Sequence, residues 1–161
     1  MTARERKMVK AERETVGNQL KAGEGQEKEA GEQRAEKRAG KRAEEKRLYD
    51  GEYRFMELVW DHEPVRSMEL ARLCLEVLGW KKSTCFTVLK KLSEWGFVKN
   101  ERAVVTSLVK RADVQKKESR SAVDRNFGGS LPAFVAAFLS DRRLTKEEAD
   151  EIRAMIEKAV K

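Results

Sequence analysis

The sequence predicts a mostly α-helical chain: a winged helix-turn-helix domain of three helices and a small β-hairpin, followed by a C-terminal helical dimerisation domain. Three observations predict it. Residues 83–95 form a short amphipathic pattern closed by Gly96. Two further helical patterns precede it, divided from each other at Pro64 and from it by a short turn after Gly79. After Gly128-Gly129 comes a segment that is apolar on nearly every side, then a last amphipathic pattern with its own start signal.

Residues 1–47 hold no Phe, Trp or Tyr and carry 14 Lys/Arg against 10 Asp/Glu. Such a segment buries too little apolar surface to offset the entropy of ordering. Glycines at 17, 23, 25, 31 and 40 interrupt any long helix. A charged, disordered or transiently helical extension is expected. The functional alternative is a basic arm that touches DNA without sequence preference.

The winged-helix domain is expected over residues 48–112. In residues 52–61, Tyr53, Met56, Val59 and Trp60 recur at helical spacing. Pro64 cannot continue that helix, so the chain turns near His62-Glu63. Ser67 is placed to cap a second helix running to about Leu78, with Leu70, Leu73, Cys74 and Val77 inward and Gly79 as its stop. Trp80-Lys81-Lys82 is a tight connection into the third helix. There Cys85, Val88, Leu89 and Leu92 fall at i, i+3, i+4 and i+7, while Ser83, Thr84, Thr87, Lys90 and Lys91 fall largely off that stripe. A helix anchored by one face, showing hydroxyls and lysines on the other and leading into a hairpin, is how this fold meets the DNA major groove.

The hairpin, residues 97–105, is short. Arg102 is the best cation on its tip, and Lys99 lies on its first strand. Lys81, Lys82, Lys90, Lys91, Lys99 and Arg102 thus cluster around one helix and its wing. Phe86 either touches a thymine methyl or packs against the domain.

Residues 113–127 read as a polar connecting helix, and residues 113–161 as the dimerisation domain. Ser130 caps a helix from Leu131 to Leu139, with Pro132 in its first turn. Leu131, Phe134, Val135, Phe138 and Leu139 leave it no polar face, so it must be covered from several directions. Thr145 and Glu148 form a capping box ahead of a last helix whose seam includes Ile152, Met155 and Ile156. A second copy of the chain is the natural cover; internal packing of a two-helix subdomain is the alternative.

Composition bounds the rest. The net charge is +7, of which +4 lies in residues 1–47. Charge alone does not identify a nucleic-acid binder. No apolar run approaches the roughly 20 residues of a membrane span, and the N-terminus is charged throughout, with no secretory signal. Membrane insertion is not expected. Cys74 and Cys85 have no CxxC spacing and suit a reducing, cytoplasmic setting as buried apolar residues. There is one histidine, His62, no glycine-rich phosphate loop and no nucleophile elbow. Neither an enzyme, a metal site nor a cofactor is expected.

Residues 48–161 resemble the BlaI/MecI-type transcriptional regulators, the penicillinase-repressor family. The likeness is carried by EYRFMELVW at 52–60, PVRSMEL at 64–70, GWKKST at 79–84, LKKL at 89–92, GFV at 96–98, FGGS at 127–130 and the closing segment from Leu144 to Ile156. The resemblance implies a homodimeric repressor on a palindromic double-stranded DNA operator, and a membrane sensor protease that lifts repression by cutting the dimerisation part. Carried over by position, the DNA-facing residues are Ser83, Thr84, Thr87 and Lys91. The wing is about four residues shorter than is usual. Ala137-Phe138 stands where the family's sensitive bond has Asn-Phe, which leaves regulation by cleavage open. The rival reading is a winged helix that binds protein rather than DNA.

Overall fold

The computed structural model of the chain describes residues 2–160; the side chains of 16–24, 26 and 27 lie outside that description. It contains two compact units, residues 1–111 and 112–161, each described by itself.

The first unit opens with α1 (Ala3–Glu44), a continuous helix where the sequence leads one to expect a disordered or transiently helical extension. Ala, Glu, Lys and Arg are strong helix formers, and together they outweigh the cost of about 1 kcal/mol per interior glycine. A capping box between Thr2 and Glu5 starts the helix, and its other end is docked. Ala39, Ala43 and the following Leu48 are buried. The approach is backbone to backbone: a Cβ on Gly96 would lie 2.1 Å from the Ala39 carbonyl oxygen. Gly96 also has φ +83°, so glycine is required there twice over.

The helix-turn-helix comprises α2 (Asp50–His62), α3 (Ser67–Leu73) and α4 (Lys82–Trp95). From Cys74 to Leu78 the α3 pattern widens into a π-helical turn, stopped by Gly79 at φ 69°. Ser67 is not the cap but the first residue of α3. It is buried, and its backbone N–H donates to the Ala103 carbonyl. The reason is β1 (Val65–Arg66), too short to read from sequence, which brings this corner onto the hairpin. The hairpin strands are β2 (Val98–Glu101) and β3 (Val104–Ser107), and the antiparallel sheet runs β1-β3-β2. Val65 faces Val105, and Val98 faces Ser107. Only Arg102 and Ala103 form the turn, at φ 51° and 61°. That is the twist a two-residue hairpin favours, made here without Asn or Gly.

Phe55, Met56, Val59, Leu70, Cys74, Cys85, Leu89, Leu92, Val98 and Val105 are the fully buried centre. The Trp60 indole N–H donates to the Val109 carbonyl, 2.9 Å away. Trp80 stacks on Phe55, ring centroids 6.4 Å apart. Both cysteines are free and buried. A hydrogen bond with Cys85, together with burial, pushes the Cys74 thiol up.

The second unit holds α5 (Arg111–Phe127), α6 (Leu131–Leu139) and α7 (Lys146–Ala159). Ser130 caps α6 by accepting from the Ala133 N–H, and Thr145 and Glu148 cap α7 reciprocally. Phe127, Phe134 and Phe138 form an aromatic row, with centroids 5.5 Å and then 6.1 Å apart. No residue of α6 or α7 is buried.

Candidate nucleic-acid interface

α4 is fixed by its inner face. Cys85, Leu89 and Leu92 are buried, and Gly96 ends the helix where the chain must turn into β2. On the outer face Ser83, Thr87, Lys90 and Glu94 follow at four-, three- and four-residue spacing, and all are exposed. Thr84 is exposed beside Ser83 and Thr87. The Thr87 hydroxyl donates to the Ser83 carbonyl, 2.9 Å away. This occupies its proton and fixes its rotamer, leaving its lone pairs and methyl group for a partner. The surface therefore offers hydroxyls, a methyl and an ammonium, the inventory that reads base edges in a major groove. Glu94, which sequence reasoning did not include, closes the row. Its carboxylate would repel phosphate or accept from a cytosine amine.

Lys81 and Lys82 are exposed at the start of the helix. The Lys82 ammonium lies 5.9 Å from the ring of half-buried Phe86. Arg102 is exposed at the hairpin tip. Two of the expected lysines are engaged otherwise. Lys91 is ion-paired with Glu52 of α2 and sits over the Trp95 ring at 4.5 Å. Lys99 is paired with Glu36 of α1 at 3.1 Å and with Glu101 at 3.3 Å. Lys91 shares a helical face with Thr84 and Thr87, which is why the periodicity groups them. Its partner comes from another helix, which periodicity cannot reveal.

Glu52 joins two elements. It accepts from the Tyr49 backbone N–H at 2.7 Å, capping α2, and from Lys91 of α4. Burial pushes its carboxyl up, but the Lys91 hydrogen bond, the Tyr49 N–H and the Lys91 charge outweigh that and hold it below its ordinary value. A depressed folded pKa gives stability that is present above the unfolded value and lost as pH falls through the folded one. The stability gap between wild type and Glu52→Gln is therefore expected at neutral pH. It should close as pH drops below the ordinary carboxyl value of 4.5. Urea unfolding at several pH values measures it.

Of the expected dimerisation residues, Phe134 and Leu139 are partly covered, whereas Leu131, Val135, Phe138, Ile152, Met155 and Ile156 are exposed. Among the described residues no cluster of His, Cys, Asp or Glu could hold a metal ion, and no helix is long and apolar enough to cross a membrane.

A sequence model of the penicillinase repressor family matches residues 49–158. The chain belongs to the penicillinase repressor family. It is 25% identical over 114 residues to the penicillinase repressor of Bacillus licheniformis, an alignment covering 68% of this chain and 89% of the relative. It is 22% identical over 115 residues to the methicillin resistance regulatory protein MecI of Mammaliicoccus sciuri and to that of Staphylococcus epidermidis, covering 69% of this chain and 94% of each. The family match begins at residue 49, so α1 lies outside it.

Proposed function

We propose that this member of the penicillinase repressor family is a DNA-binding transcriptional repressor, acting as a homodimer on a palindromic operator. The observation that carries the reading is the exposed row of Ser83, Thr87 and Lys90, with Thr84 beside it, on a helix whose opposite face is fixed in the core. Thr84 and Thr87 meet base edges, and Lys90 meets a base or a nearby phosphate. Lys81, Lys82 and Arg102 hold the protein on the backbone. Lys91 orients α4 against α2 through Glu52, so its part is positioning. Lys99 reaches a phosphate only by leaving Glu36 and Glu101.

The exposed apolar residues of α6 and α7 are the self-association surface. A membrane sensor protease, the partner that the family resemblance implies, would act near Ala137-Phe138, both exposed on α6. A cut there would separate the copies.

The test is a pair of substitutions. Thr84→Ala with Thr87→Ala should lower preference for the operator over random duplex by roughly ten- to thirty-fold, at about 1 kcal/mol per lost contact. The unfolding midpoint should stay unchanged. Competition gel shifts on the duplex that the wild type selects measure it; unchanged preference would remove these residues from the reading face.

A further inference from the structure

Resting on the reading that α4 binds duplex DNA, we infer that the docked end of α1 is a second, sequence-independent site for the phosphates that flank the operator. The charge of α1 and its following turn is not spread evenly. Residues 2–33 carry seven Lys/Arg and seven Asp/Glu, whereas residues 34–47 carry seven and three. The whole excess therefore sits at the end that packs on the winged-helix unit. That end is held in place: Ala39 and Ala43 are buried, the Ala39 backbone rests on Gly96, and Glu36 pairs with Lys99 of the wing.

At 100° per residue, Arg34, Lys37, Arg38 and Lys41 turn away from the buried Ala39 and Ala43, and all four are exposed. No carboxylate pairs with any of them among the described residues. Lys37 and Lys41 border the same groove as Lys99, together with Glu36 and Glu44, so the stripe lies beside the first strand of the wing. The eight residues from Arg34 to Lys41 cover about 10 Å of helix axis, enough to meet consecutive phosphates of one strand. The wing itself is a two-residue turn with a single cation at its tip and Lys99 in ion pairs. The α1 stripe supplies the backbone contacts that so short a hairpin cannot reach.

Phosphate contacts show in salt dependence. Each one adds about 0.9 to the slope of log affinity against log salt. The full chain and a variant with Arg34, Lys37, Arg38 and Lys41 all changed to Ala are titrated by fluorescence anisotropy. The probes are a selected operator duplex and a 40-bp random duplex, from 50 to 200 mM salt. The variant's slope should be shallower by about two or more on both duplexes. Over that range the wild type then loses roughly 16-fold more affinity than the variant. The preference for operator over random duplex should be unchanged, because positioning contacts carry no sequence information. A Lys-for-Arg variant at 34 and 38 should keep the wild-type slope. An unchanged slope in the Ala variant, with operator preference intact in the wild type, overturns the α1 site alone. No salt-dependent binding of either duplex by the wild type overturns the reading of α4. A change confined to the operator duplex would mean that α1 acts through α4 and not on flanking phosphate, and would also overturn the site.

Discussion

A chain carrying Phe138→Asp and Ile156→Asp should be monomeric by analytical ultracentrifugation and should lose roughly 10²- to 10⁴-fold in operator affinity, while its winged-helix unit stays folded. The effect is large because it is not a contact energy. Tethering two readers makes the second binding event intramolecular, and this alone raises affinity by that range. The physical case lies in the second unit. Phe138 is 52% exposed and Ile156 58%, and Leu131, Val135, Ile152 and Met155 are left open with them. Single exposed apolar residues are ordinary. Six on two short helices that bury nothing of their own form the surface that the proposed dimer would cover. Two carboxylates brought against their copies across a symmetric interface would repel each other and would cost more than the apolar area lost.

The second large effect is on the fold. Leu89→Ala should destabilise the winged-helix unit by about 2–5 kcal/mol, lowering its thermal midpoint by about 10 °C or more. Leu89 is 2% exposed and stands between Cys85 and Leu92 on the face that anchors α4. Removing three carbons there leaves a cavity under the reading helix. Binding should fail together with folding when the sample is warmed, which separates this variant from Thr84→Ala with Thr87→Ala. Differential scanning calorimetry and binding at two temperatures make the comparison.

The parts of the fold legible in sequence are those where one residue type has one geometric use. Gly79 and Gly96 stop helices at positive φ, Ser130 and Thr145 cap helices, and the Cys85–Leu89–Leu92 stripe is buried as the period requires. What escaped sequence reasoning depends on partners distant in the chain. β1 is two residues long and exists only because β3 lies beside it. That pairing draws Ser67 into the core instead of leaving it as a cap. α1 contains the glycines that argue against it, but a helix rich in Ala, Glu, Lys and Arg tolerates them, and its end gains packing from Ala39 and Ala43. In the site, α4 and its exposed hydroxyls follow from spacing alone. The retirement of Lys91 into a pair with Glu52 does not, since the two residues are joined only once α2 and α4 pack.

Two copies reading one duplex is the centre of this picture, and in vitro selection from a random duplex pool addresses it directly. Enrichment of a palindrome is expected, with half-sites one helical turn of about 10–10.5 bp, or a whole multiple of it, apart. Enrichment of a single unrepeated site, or of nothing, would contradict it.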